Sequence, residues 1–118
     1  MKEIVKSMKQ VIVTGGRDYR DWNMISDVLD LIKPDTVIQG GASGADHLAL
    51  EWAITNMAGY FTYVADWNKY GRAAGPIRNR EMLREHPDAL VIAFPGGKGT
   101  ENCVSIAREL HRTVLRVS

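Results

Sequence analysis

Residues 10–18 read QVIVTGGRD: an apolar run from Gln10 to Val13 that empties into Thr14, two glycines and the charged pair Arg17 and Asp18. The same order of residue types returns at 36–46, TVIQGGASGAD, and at 89–100, ALVIAFPGGKGT. A run that is apolar throughout, rather than at alternate positions, is what a strand covered on both faces requires, and a parallel sheet with helices on either side provides that cover. Counting outward from these three, the apolar runs Gln10–Val13, Thr36–Ile38, Phe61–Ala65, Ala89–Phe94 and Thr113–Val117 predict five strands.

Helical spacing fills the intervals. Trp22, Ile25, Val28, Leu29 and Ile32 recur at three- and four-residue steps, with Pro34 as the stop. Ala45, Leu48, Ala49, Trp52 and Ala53 repeat the pattern, with Gly59 expected to close that helix. A third helix is expected from Ile77 to His86, and a fourth from Thr100 to His111 that buries Cys103, Ile106, Ala107 and Leu110. Strict alternation of strand and helix predicts an α/β fold, a Rossmann-like three-layer sandwich of mostly parallel strands in the order 3-2-1-4-5 with helices on both faces. The stretch Asp66 to Gly75 reads as one long connection of the kind that often carries function.

In such a sheet the glycine turns share the carboxyl edge, where ligands bind at the point of strand-order reversal. Glycine permits close approach of backbone to ligand, and the helix that follows offers unpaired amides and the positive end of its dipole. One such turn reads equally well as a tight connection; three on one edge point to a phosphate site. The candidate ligand-binding residues are Gly15, Gly16, Arg17 and Asp18 in the first turn, Gly41, Ser43 and Asp46 in the second, and Gly96, Gly97, Gly99 and Thr100 in the third. Arg78 and Asn79, after Gly75 and Pro76, are added from the third helix, with Arg78 the strongest single anion candidate because a guanidinium binds phosphate through two hydrogen bonds. Arg80, two residues on, should point away. Ser43 and Asp46 have the spacing of a helix capping box, while Asp46 would equally serve a ribose hydroxyl, and the spacing does not choose between them. Trp67 and Tyr70 either stack on a base or pin their loop to the core.

Composition narrows the classes of function. With 118 residues the chain suits one domain, 1–118, and 15 basic against 14 acidic residues leave a net charge of +1, too little to draw in nucleic acid or an anionic membrane. The single cysteine, Cys103, has no partner for an internal disulfide. No apolar run approaches the ~20 residues of a membrane span, nor does the lysine-bearing start resemble a signal peptide, so a cytoplasmic location is expected, that of the host for a phage protein. His47, His86 and His111 show no metal-ligand or catalytic-triad spacing, and no metal, catalytic residue or resident cofactor is expected.

Taken together, the motifs TGGRD, GGASGAD, ADWNKYGRAAGPIRNREM and FPGGKGT, in this order from Val11 to Val117, resemble the SLOG superfamily, specifically its small YspA-type, YpsA-related branch. The resemblance implies binding of nucleotides, nucleotide sugars or NAD-derived molecules. Branch members are frequent in phages, which makes capture of a nucleotide signal used in defence the expected role. The LOG phosphoribohydrolases of the superfamily carry PGGxGTxxE, whose glutamate supports glycosidic cleavage. Here Cys103 stands at that position, and Glu101 lies about 200° away around the helix. Arg78 matches the arginine of those enzymes. The pattern implies binding without turnover, with a LOG-like hydrolase and a DprA-like nucleic-acid module as the alternatives. By analogy with LOG relatives, and from aromatic surface expected at Trp22 and Trp52, a homodimer or higher oligomer is anticipated.

Overall fold

A computed structural model describes residues 9–118. Five strands, β1 (Gln10–Thr14), β2 (Thr36–Gln39), β3 (Gly59–Thr62), β4 (Leu90–Ala93) and β5 (Val114–Arg116), form one sheet in the order β3-β2-β1-β4-β5. Every pairing is parallel. Helices α1 (Trp22–Ile32), α2 (Ala45–Thr55) and α4 (Ala74–Glu85), the short α3 (Trp67–Tyr70) and α5 (Lys98–Glu109) make the connections. The architecture is the Rossmann-like sandwich that the alternating pattern predicts.

The continuous apolar runs divide residue by residue between two cores. Val11, Val13, Val37, Ile92 and Phe94 face Ile25 and Leu29 of α1 and Ala49 and Trp52 of α2. Their neighbours Ile12, Ile38 and Val91 face Met82 and Leu83 of α4 and Cys103, Ile106 and Ala107 of α5. Successive side chains of a strand point to opposite faces, so a strand buried on both sides must be apolar at every position. Arg112 ties the layers at the end opposite the glycine turns, donating to the carbonyls of Leu83, His86 and Ala89.

Several boundaries differ from expectation, each for a local reason. Helix α2 is closed by Met57, in the left-handed region at φ 58°, rather than by Gly59. Gly59 instead opens β3, its amide donating to Asp35 O at 2.8 Å. β3 thus begins two residues before the expected Phe61 and ends at Thr62, opposite Gln39, the last residue of β2. The apolar run continues past it because Tyr63 packs against the α4–α5 core and Ala65 is buried beside the glycine turns, so hydrophobicity there records burial and not pairing. Asp66–Gly75 is not an open connection either. Asp66 caps α3 by accepting from the Lys69 amide at 3.1 Å, a 3-10 turn spans Gly71–Ala73, and α4 then starts at Ala74, ahead of the expected Ile77. Pro76 fits its first turn, where an amide would have no helical partner anyway. Trp52 is buried at 4% exposure with its indole donating to Asp30 at 2.9 Å, so it does not supply the aromatic surface expected of it.

Gly44 shows how tightly the turns are fitted. It sits at φ +76°, and a Cβ there would run into the carbonyl oxygens of Gly16 and Arg17. Gly71 also has positive φ, at +56°, but with nothing within 4 Å of a Cβ. At ψ −134° Gly71 lies in a region that side chains disfavour, and Gly71→Ala should therefore cost only that conformational strain, about 1–3 kcal/mol. Gly44→Ala adds displacement of packed backbone and should cost about 3–5 kcal/mol in urea unfolding. Equal losses at the two positions would show that steric closure of the turns is not what Gly44 serves.

Candidate functional site

Three turns converge at the carboxyl ends of β1, β2 and β4, and backbone hydrogen bonds join them directly. The Gly16 amide donates to Pro95 O at 2.9 Å, and Gly16 O accepts from the Ala45 amide at 3.1 Å. Ser43 Oγ adds a bond to Arg17 O at 3.2 Å. Ser43 is thus not half of a capping box: Gly44 is the N-cap of α2, with no side-chain bond there. Asp46 turns back on its own loop, its Oδ2 accepting from the Ala42 amide at 3.2 Å.

In front of these turns lies a cleft of 910 Å³. Gly15, Gly16, Arg17, Asp18, Asp46, Trp67, Arg78, Asn79, Gly96, Gly97, Gly99 and Thr100 all line it. Gly41 and Ser43 do not; they line an adjoining pocket of 240 Å³. Residues missed in the sequence reading also face the cleft, chiefly Arg72, Lys98 and Asn102. Lys98 was visible as the variable position of PGGKGT. Arg72 lies in a stretch without periodicity, and Asn102 is a polar position in a helix whose pattern is carried by its apolar residues.

The arginines divide their work. Arg78 Nη1 donates to Gly40 O at 2.6 Å and to Tyr63 O at 3.3 Å, and Nε donates to Asn79 Oδ1 at 2.9 Å. Its guanidinium therefore clamps the loops after β2 and β3, and among the described residues only Nη2 lacks a partner for an incoming anion. Asn79 passes the connection on to α5, donating to Asn102 Oδ1 at 3.0 Å. Arg17 is exposed and lies over the Trp67 ring, 5.7 Å from its centroid. Trp67 does two things at once: one edge packs on Gly75, where a Cβ would meet Cη2 at 3.2 Å, while the residue, 48% exposed overall, also lines the cleft. Tyr70 is exposed beside Lys69 and outside the cleft lining. Arg80 turns away to Glu109 at 2.7 Å, as its helix position requires.

The third turn has a different character from the others. A Cβ on Gly96 would strike Thr100 Oγ1 and the Gly16 amide, so the fold itself demands glycine there. Gly97 and Gly99 would meet nothing within 4 Å. Gly97 is the N-cap of α5, with no side-chain bond to the helix amides, and both glycines border the cleft.

Two carboxylates reach the cleft. Asp18 is exposed, whereas Asp46 is 7% exposed. Burial pushes Asp46 up to about 6, opposed by the Ala42 and Gly40 amides and by the charges of Arg78 and Arg17. Cys103 is fully buried beneath the site, and loss of water pushes its thiol up to about 11, so it is neither nucleophile nor acid at neutral pH. Glu101 points outward to Arg116 at 2.6 Å. Among the described residues no group of three or more His, Cys, Asp or Glu is placed to hold a metal ion, and no helix is long and apolar enough to cross a membrane.

A parallel sheet with its glycine turns stitched into one edge defines a Rossmann-like domain of the SLOG type. The chain belongs to the YspA, cpYpsA-related SLOG family, whose model matches residues 9–70. It is also 35% identical over 114 residues to the Gene 61 protein of Mycobacterium phage D29, covering 86% of this chain and 90% of that one.

Asp46 gives a measurable consequence. Its carboxyl titrates higher in the folded protein than in the unfolded chain, so the unfolded chain loses its proton first as pH rises. The stability it contributes is complete below about pH 4 and is lost as pH rises through about 6, an effect on the order of 2–3 kcal/mol. Asp46→Asn removes that dependence. The unfolding free energy of wild type minus variant should fall by about that amount between about pH 4 and about pH 7 in urea titrations. A constant difference would show that no charge is being buried.

Proposed function

We propose that the cleft captures a phosphate-bearing nucleotide, or a signal derived from NAD or a cyclic nucleotide, and holds it without turning it over. One observation carries this reading: Gly97 and Gly99 lie at the start of α5 with open space in front of them, so their lack of side chains serves something outside the protein. Helix amides and the positive dipole end favour an anion there. Arg17, Arg72, Arg78 and Lys98 line the same cleft against two carboxylates, Asp18 and Asp46. Trp67 offers a half-exposed ring for a base. Retention without cleavage is supported by the residues at the glutamate position of the hydrolases: a buried thiol at Cys103, with Glu101 paired to Arg116 on the outside. The phage relative fits a role in which such a protein removes a host's nucleotide signal.

A hydrolase is the second reading, favoured by a single observation. Asp46 is a buried carboxyl in the cleft held near 6, the range of a general acid or base.

Incubating the protein with nucleoside monophosphates, NAD, ADP-ribose and cyclic dinucleotides, then chromatographing the mixture before and after heat denaturation, separates the two. Capture predicts that one ligand disappears and returns intact. Release of free base or ribose phosphate, abolished by Asp46→Asn, would establish the hydrolase instead. Gly97→Asp tests the site itself: a carboxylate at an N-cap supports the helix, so stability should hold or rise by about 0.5–1 kcal/mol, while the charge repels a phosphate and binding should weaken at least about 30-fold. Unchanged affinity in isothermal titration would remove the α5 terminus from the site.

A further inference from the structure

The two edges of the sheet are finished differently. β5 is three residues long, and its last residue, Arg116, is paired with Glu101 at 2.6 Å. A short strand that carries charge is a poor template for another strand. β3 has no such guard: all four of its residues are exposed, and Met57 to Ala65 contains neither a charge nor a proline. Tyr60 and Phe61 are each 51% exposed, and Val64 and Met57, which flank the strand, are 76% and 92% exposed. Hydrogen bonds fix which backbone groups face outward. The amides of Gly59 and Tyr63 donate inward, to Asp35 O at 2.8 Å and Gln39 O at 2.9 Å. Backbone direction alternates along a strand, so the N–H and C=O groups of Tyr60 and Thr62 point away from β2, and among the described residues no strand pairs with them.

We propose that this edge pairs with β3 of a second copy of the chain, antiparallel about a two-fold axis at Phe61, so that two sheets become one. In that register Tyr60 of one copy faces Thr62 of the other, each such pair exchanges two backbone hydrogen bonds, and every outward group of both residues is satisfied. Phe61 falls opposite itself at a non-hydrogen-bonded position, where Cα atoms lie about 4.5 Å apart. The edge suits its own copy because it is neutral throughout and meets itself without like-charge repulsion. A two-fold pairing also closes after one step, whereas a head-to-tail chain would have to use the guarded β5 edge. Half-exposed aromatics cover about 100 Å² each, and with Met57 and Val64 the contact reaches roughly 400–500 Å² per copy, or about 1,000 Å² in all, the lower bound for a specific interface. The dimer is therefore a reversible one of micromolar strength.

Sedimentation velocity over tens to hundreds of micromolar protein should show that dimer. Phe61→Lys sets like charges opposite each other and should give a monomer that keeps its circular dichroism spectrum; Phe61→Glu should do the same alone, and mixing the two should restore a heterodimer. Phe61→Cys should cross-link to itself under mild oxidation, since Cys103 is fully buried and does not compete. Tyr60→Cys should not, because its own copy lies diagonally across at about 8 Å, beyond the reach of a disulfide. The cysteine pair decides the register even where a charged variant fails to fold. A wild-type monomer over the whole range would overturn the pairing and leave the edge to a different chain or to none. So would a dimer that persists in folded Phe61→Lys, or a cross-link that forms at Tyr60→Cys and not at Phe61→Cys.

Discussion

One residue holds the glycine-rich edge of this domain together. The backbone of Gly16 gives its amide to Pro95 O and its carbonyl to the Ala45 amide, so the turns after β1, β2 and β4 are fastened to each other through main chain alone. Such bonds need backbones at contact distance. A Cβ on Gly15 would fall 2.6 Å from Ala45 Cβ, and one on Gly44 or Gly96 would strike Gly16 itself. Gly15, Gly16, Gly44 and Gly96 therefore act as mutual clearance, while Gly40 makes room for Arg78. The third turn's remaining glycines, which clear nothing in the protein, become conspicuous only once this internal requirement has been subtracted.

Arg78 illustrates how the same subtraction changes a residue's meaning. In the sequence it is a cation near a helix start, and a phosphate contact is its natural assignment. In the fold its acceptors are Gly40 O and Tyr63 O, carbonyls that β2 and β3 leave at their ends, and a Cβ on Gly40 would overlap the guanidinium. A buried carbonyl without a donor costs about 1–3 kcal/mol, so an arginine that serves two of them is a structural clamp first. The delocalised charge of the group stays at the border of the cleft, with Nη2 the nitrogen that has no partner among the described residues.

The fold was legible because its cause is local and repeated. Apolar at every position means two covered faces, and a glycine turn after each such run fixes which edge they share; both properties are printed in residues 10–18, 36–46 and 89–100. Most of the candidate site followed from that edge. What stayed hidden depended on partners distant in sequence: the burial of Trp52 against Asp30, the capture of Ser43 by Arg17, and the division of the second turn between two chambers. Where β3 begins was misread for a related reason, since Tyr63 and Ala65 are apolar through contacts with other elements rather than through pairing.

Asp46 is the one element of the site that the fold tolerates at a cost. A carboxyl at 7% exposure, supported by the Ala42 and Gly40 amides and by the charges of two arginines, titrates near 6 because burial outweighs all of that support. An apolar residue would relieve the penalty, yet it would also leave the Ala42 amide without its acceptor and the arginines of the turns without a counter-charge. The two guanidinium charges are thereby offset from within the fold, at the cost of a carboxyl held near 6.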